Sequence, residues 1–438
     1  MFKKVFPLSA ILSLRFLGLF LVLPIISIYA ASMTDNLMLV GIVVGGYALT
    51  QAIFQVPFGM MSDKIGRKPT ILVGLIIFLI GSLIAAFATD IYTLMLGRFL
   101  QGTGAIGSVI TAMISDLVEE EVRGKAMAIM GGTIAMSFAL AMGLGPVLGA
   151  AYGLDTLFLI TAVLAVISMI VLFTKVPTPP RIKHIYHNKS KTSDIIKDPN
   201  LLNMIIINAM QKGLMTVAFV LIPIILIGSD FNWEKSDLYM AYLPAMILGL
   251  IAMGPAAVFG EKHNKPREIF LVSIVLFIGS FLIMGLTTSS TVFIVGVSMF
   301  FVAFNMMEPL VQSMITKFAK VHQKGAALGI SNSAAYFATF LGGTLAGLTL
   351  EFSDRATIGV TVAVIATIWF LWTFFKLPNP TKYSHLFLDQ DSVDTQKLMA
   401  LESEHIAEWY INETENLIVI KYTANALEED ALRAKILK

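Results

Sequence analysis

The chain has 438 residues, no cysteine, a formal net charge of +2, and a composition that is 56% apolar and only 14% charged. A soluble globular chain carries roughly 25% charged residues, so this composition excludes an ordinary water-solvated protein. The missing cysteines exclude a disulfide framework, thiolate metal centres and cysteine nucleophiles.

A helix needs about 20 apolar residues to cross a bilayer. Twelve such runs follow one another near 6–31, 38–60, 70–89, 91–114, 126–150, 156–174, 200–227, 236–258, 268–287, 290–316, 325–350 and 356–376. The first follows Lys3 and Lys4, as a signal peptide would, but it is too long for a signal core and is interrupted by Arg15. Pro24, Pro146, Pro223 and Pro309 fall inside runs, which membrane helices tolerate.

Charge sorts the connecting loops into two kinds. Loops after even-numbered runs carry Lys64, Arg67 and Lys68, then Arg123 and Lys125, then six basic residues between 175 and 197. The second half repeats this with Lys262, Lys265 and Arg267, then Lys317, Lys320 and Lys324. Opposite loops carry Asp35, Asp90, Asp155, Asp230, Glu234, Glu351 and Asp354 against only Lys235 and Arg355. Lysine and arginine are retained on the cytoplasmic side, which predicts that both termini are cytoplasmic. The organisation that follows is a six-helix bundle over 1–174, a basic cytoplasmic loop over 175–199, a second six-helix bundle over 200–376, a linker over 377–382 and a soluble module over 383–438. The entries to the fifth and eleventh spans, Arg123-Gly124-Lys125-Ala126 and Lys324-Gly325-Ala326-Ala327, echo each other.

The ionisable residues inside the spans are Arg15, Arg98, Lys212 and Glu308, with Gln101 and Asn305 on the same helices as two of them. Charges at membrane depth are costly and face a cavity or a partner. Glu308 is read either as a proton-exchanging carboxylate, with Asn305 one turn away on the same face, or as a static ion pair with Lys212 or Arg15. Arg98 is read either as facing the cavity or as a donor to carbonyls of the first span.

The loop after the second span reads Gly59-Met-Met-Ser-Asp63-Lys64-Ile-Gly66-Arg67-Lys68-Pro69. It resembles the loop motif of the major facilitator superfamily. That resemblance implies an all-α membrane fold of two six-helix halves, in which Asp63, Arg67 and an acidic partner, here Asp116, latch the cytoplasmic face. Gly59 is expected to let helices approach closely and Gly66 to permit the turn. A solvated, topology-setting loop is the plainer alternative. The corresponding loop of the second half, Gly260 to Lys265, is degenerate. Arg98 matches the family's fourth-helix arginine, linked to proton coupling. Gly143, Gly145, Pro146 and Gly149 retain the centre of the family's antiporter motif, with Ala141 and Ala150 in place of two glycines. Small residues there also allow tight packing against the eighth span.

The first, second and tenth spans resemble the YajR-type branch, with Lys212 standing where that group has histidine. In the tail, Tyr383–Leu388, Ile406–Asn412 and Leu417–Tyr422 read as strands, and Val393–Leu401 and Ala424–Leu437 as helices. This order fits a ferredoxin-like domain, which the same branch carries. The tail has a net charge of −6 and is expected to dock on the basic 175–199 loop. Together these readings predict a monomeric proton-coupled carrier of the bacterial inner membrane that exports a small molecule by alternating access. A sensor derived from such a carrier is the alternative. No enzyme activity, cofactor, metal or nucleic-acid partner is expected.

Overall fold

Within a bilayer every backbone N–H and C=O must be satisfied inside its own segment, and the apolar runs accordingly become helices. The computed structural model describes residues 2–118, 120–177, 192–228, 231–320, 323–380, 383–393, 406–412 and 416–423, with 397–398, 432–433 and 436. The helices are α1 (Phe2–Leu21), α2 (Leu23–Ala31), α3 (Leu37–Ile65), α4 (Arg67–Ala86), α5 (Ile91–Thr103), α6 (Gly107–Leu117), α7 (Glu120–Thr174) and α8 (Thr192–Lys197). They continue with α9 (Pro199–Ile227), α10 (Leu238–Lys262), α11 (Pro266–Leu286), α12 (Ser290–Phe318), α13 (Lys324–Phe352) and α14 (Arg355–Lys376).

Among the described residues, ten helical stretches are long and apolar enough to cross a membrane. One of them passes through Gly153 (φ +87°, ψ 168°) and holds two spans, the fifth and sixth. A Cβ there would lie 2.4 Å from Asp155 Oδ1, so the reversal requires glycine. The fourth span is split into α5 and α6, neither long enough alone. With these two corrections the ladder matches the twelve expected runs. The first span breaks at Val22, where Pro24 enters the first turn of α2.

The acidic residues of the charge-poor loops also start helices. Asp90 accepts from Tyr92 and Thr93 backbone N–H at the head of α5, and Asp354 accepts from Thr357 N–H at the head of α14. Hydrogen bonds from Thr93 hold the Asp90 carboxyl below its ordinary value. A carboxyl shifted in that direction keeps its cap above the ordinary carboxylate pKa and loses it only as pH falls through the lowered one.

Contacts between the halves lie at the end opposite the basic loops. There α3 packs on α13: a Cβ on Gly41 would sit 2.0 Å from the Gly343 carbonyl oxygen, and one on Gly347 2.1 Å from that of Leu37. Ser27 Oγ donates to the Phe219 carbonyl and Met38 N–H to Glu351 at the same end. Nearer mid-depth, Phe138 of α7 meets Phe219, Phe301 and Phe304 of the other half. Toward the basic face the helices diverge. A Cβ on Gly59, Gly107, Gly131, Gly132, Gly254, Gly325 or Gly329 would meet nothing within 4 Å. Among the described residues the halves therefore meet at one end and leave the basic face open.

In the tail, strands β1 (Tyr383–Asp389), β2 (Ile406–Asn412) and β3 (Leu417–Thr423) fall within one residue of their expected bounds. Their order is β1-β3-β2, with β3 antiparallel to both neighbours and a register shift between Ile406 and Glu408. Leu386, Ile418, Ile420, Leu432 and Ile436 form its core. The two expected tail helices lie mostly outside the described residues. So does most of the 175–199 loop, the expected docking partner. The described tail contact is elsewhere: buried Lys421 of β3 donates to the Lys317 carbonyl at the end of α12, at 3.4 Å. The linker is tied down as well, by Asn264 Nδ2 to the Pro380 carbonyl (2.7 Å) and Arg267 N–H to Asn379 (3.1 Å).

Candidate functional site

Three polar clusters carry the residues singled out above. The first lies on the basic face. Gly66 adopts φ +101° between α3 and α4, the turn that its place in the motif requires. That turn brings Arg67 back onto Asp63, Nη1 to Oδ1 at 2.6 Å, and across to Asp116 of α6, Nε to Oδ2 at 3.0 Å. Arg67 also donates to Ser62 Oγ. Lys68 follows in the first turn of α4. Gly59 has open space around it, so the close helix approach expected there is not made. The degenerate loop of the second half hides a counterpart: Glu261 at the end of α10 pairs with Lys317 at the end of α12. Charge has been exchanged between partners, which is why motif spacing did not reveal it.

The second cluster lies inside the first half. Arg98 is 0% exposed. It donates to Gln101 Oε1 at 2.7 Å and to the carbonyls of Val43 and Val44 on α3, and it stacks on Tyr47 at 4.6 Å. The carbonyls thus belong to the second span, not the first. Gln101 Nε2 continues to Ser82 Oγ of α4 at 2.9 Å. Arg15 of α1, also fully buried, donates to Gln51 Oε1 at 3.2 Å and to the Gln101 carbonyl, and faces the Phe78 ring at 5.2 Å. The sequence left these charges facing either a cavity or a partner, with Arg98 a coupling residue or a donor to carbonyls. In the structure Arg15, Arg98 and Gln101 tie α1, α3, α4 and α5 together; neutral acceptors and the Tyr47 ring surround the Arg98 guanidinium, whereas Arg15 donates through Nη2 alone and its buried Nε and Nη1 have no hydrogen-bond partner. Gln51, Tyr47 and Ser82 were missed; a glutamine at membrane depth is itself a signal that something must be hydrogen-bonded.

The third cluster spans α9 and α12. Lys212 Nζ meets Glu308 at 2.7 Å and 2.9 Å, and rests over the Phe304 ring at 4.6 Å. Gln211 Nε2 donates to Glu308 Oε2 at 3.1 Å and to the Phe304 carbonyl. The side chains are 23% and 37% exposed, so this pair, unlike the arginines, is open to the space between the halves. The partner of Glu308 is Lys212; Arg15 is engaged in the other half. Asn305 turns away toward α10, its Nδ2 bonded to the Phe301 carbonyl at 2.8 Å and 3.8 Å from Met246 Sδ. Gln211, not Asn305, is the polar neighbour of the carboxylate. Tyr336 of α13 lies within electrostatic reach of both Arg15 and Glu308.

The glycines of the fifth span pack mainly on the first span rather than the eighth. A Cβ on Gly145 would lie 2.3 Å from the Leu21 carbonyl oxygen, and one on Gly149 1.9 Å from Ile25. Gly143 alone faces the eighth span, at Leu243. Pro146 stands inside this stretch of α7.

Comparison with known proteins supplies the context. Residues 8–304 and again 204–410 match the Major Facilitator Superfamily. The chain is 33% identical over 430 residues to the inner membrane transport protein YajR of Escherichia coli (strain K12), covering 96% of this chain and 94% of that one. It is 25% identical to multidrug resistance protein 2 of Bacillus subtilis (strain 168), covering 77% and 86%. The crystal structure of a D-xylose-proton symporter superposes with a TM-score of 0.70 over 86% of this chain and 99% of the other, at 13% identity.

Proposed function

Since this chain belongs to the Major Facilitator Superfamily, and is a multi-pass membrane transporter and not an enzyme, we propose that it is a proton-coupled exporter of a small organic molecule working by alternating access. The observation that carries this reading is the Lys212–Glu308 pair, an ion pair open to the gap between the halves and backed by the aromatic ring of Phe304. Protonating Glu308 dissolves the pair and frees Lys212, so one proton changes the charge presented to the cavity. Export is supported by the likeness to a multidrug resistance protein and by the retained glycines of the fifth span. The basic face is taken as cytoplasmic from its lysines and arginines, with the bacterial inner membrane as the site; the open end then faces inward, and the chain acts as a monomer. Proton movement in sealed proteoliposomes tests the reading: export predicts substrate-dependent proton entry, and substrate flux with no proton movement would overturn it.

The first cluster, whose pairs lie within the first half and are made while the basic face is open, is assigned as the first half's side of the cytoplasmic latch. Asp63→Asn or Arg67→Ala is expected to slow turnover several-fold and to hold the molecule open on that side. Introduced cysteines at cavity positions, in a chain that has none of its own, should label faster from the basic face. An unchanged labelling pattern counts against a latch.

A second reading concerns the tail. The split β-α-β arrangement that β1-β3-β2 matches supports a ferredoxin-like domain. Its buried Lys421 caps the carboxyl end of α12, where a cation is favoured, beside the Glu261–Lys317 pair. We assign the tail as a modulator seated on the second half. Removing residues 383–438 should leave membrane insertion intact and change transport rate or its salt dependence. Identical rates at all ionic strengths would mean the tail is a passenger.

A further inference from the structure

A recess of about 440 Å³ opens at the basic face, away from the space between the halves, lined by Asn200, Arg267, Phe374, Phe375, Lys376 and the linker residues Leu377 to Asn379. It has two chemically distinct walls. Phe374 and Phe375 close α14 and are 44% and 74% exposed, an aromatic surface at the level where a helix leaves the bilayer. Arg267 and Lys376 stand above them. The Arg267 guanidinium is held in place by its bond to the Phe374 carbonyl (2.6 Å) and by stacking on the Phe374 ring (5.1 Å). That one bond leaves further donors on the guanidinium. The neighbouring acid, Glu268, is engaged by the Asn379 amide at 3.1 Å and is not part of the lining.

We propose that this recess seats the phosphate of an anionic phospholipid, with Arg267 and Lys376 as its ligands and Phe374 and Phe375 against the start of the acyl chains. Two cations over an exposed aromatic face match a molecule that is anionic at one end and apolar at the other. A soluble anion has no use for the aromatic wall. Basic recesses between helices on the cytoplasmic side are suited to such headgroups, and each lysine or arginine near the surface contributes a modest share of the attraction. The recess is formed partly by the linker that Asn264 and Arg267 hold to α11, so occupancy also steadies the attachment of the tail.

The test uses the full chain purified in nanodiscs. Binding of phosphatidylglycerol is titrated by native mass spectrometry against phosphatidylcholine, with thermal shift as a second readout. Lys376 is exposed, and its described hydrogen bond, from Asn203 Nδ2, is to its backbone carbonyl, so Lys376→Gln keeps the fold and should weaken phosphatidylglycerol retention by about fivefold. Arg267→Gln with Lys376→Gln should weaken it on the order of 20-fold and abolish any stabilisation by phosphatidylglycerol over phosphatidylcholine. Unchanged retention in Lys376→Gln, or equal retention of the two lipids by the unaltered chain, overturns the proposal. Protection by inorganic phosphate or glycerol phosphate equal to that of the lipid also overturns it, since the site would then belong to a soluble anion.

Discussion

Glu308→Gln is expected to lower proton-coupled transport by about a hundredfold, the lower end of what a positioned proton carrier contributes. The substitution keeps the shape, removes the charge and leaves one acceptor oxygen where the carboxylate offered two to Lys212 and Gln211. It leaves Lys212 facing a neutral amide beside Phe304 and Gln211. Breaking one partner of a fully buried pair costs about 3–5 kcal/mol. Here both side chains retain solvent contact at 23% and 37%, so the penalty is smaller and the protein stays folded. The static-pair reading makes a different forecast. If the pair only holds α9 to α12, replacing both residues by glutamine removes the unpaired charge and restores transport. If Glu308 carries the proton, the double variant remains inactive while its thermal stability recovers. Transport and melting temperature of the two single variants and the double variant, compared as a cycle, separate the cases. Recovery of proton-coupled flux in the double variant would end the assignment of Glu308 as carrier.

Much of the architecture was legible because a bilayer imposes one dominant rule. Run length and the sorting of lysine and arginine located the spans and the two faces. The tail strands followed from alternation and turn residues. Missing from that reading were the places where one helix presses on another. The split of the fourth span lies where a Cβ on Gly102 would sit 1.8 Å from the Tyr47 carbonyl oxygen and one on Gly104 2.3 Å from that of Gly74; hydropathy holds no trace of such contacts. The site was half legible. Arg15, Arg98, Lys212 and Glu308 stood out by type, since charge at membrane depth demands compensation. Of their partners only Lys212 for Glu308 was named, beside Arg15, and the pair is made; the others were not, because pairing across helices depends on rotation about each axis. For Arg15 and Arg98 the choice between cavity and partner therefore stayed open, and the structure buries them against Gln51, Gln101 and Tyr47. Asn305 and Glu308 share a helix, but their side chains are bound in different directions, to Phe301 and to Lys212.

Gly41→Ala is expected to shift the molecule away from the state described here. The added methyl would lie 2.0 Å from the Gly343 carbonyl oxygen and 2.7 Å from its carbon. Both atoms are backbone, so no rotamer change relieves the contact. Overpacking of this kind costs about 1–3 kcal/mol, and the contact joins the two halves without contributing to packing within either one. The least costly relief is for the halves to part at this end, which is the motion alternating access requires. A shift of that size changes the ratio of the two states by about tenfold. Ser27, 0% exposed and bonded across the seam to Phe219, reports opening at this end when changed to cysteine; Gly329, with open space around it, reports closure at the other. In the Gly41→Ala background, labelling of Ser27→Cys should rise by about tenfold and that of Gly329→Cys should fall. Gly102→Ala supplies the control. Its methyl meets Tyr47 backbone at 1.8 Å, a clash at least as severe, but one lying wholly within the first half. It should lower the melting temperature and leave the ratio of the two labelling rates unchanged. If Gly41→Ala behaves like Gly102→Ala, losing stability with no exchange of accessibility between the two faces, the α3–α13 seam is ordinary packing and not the surface on which the two states are balanced.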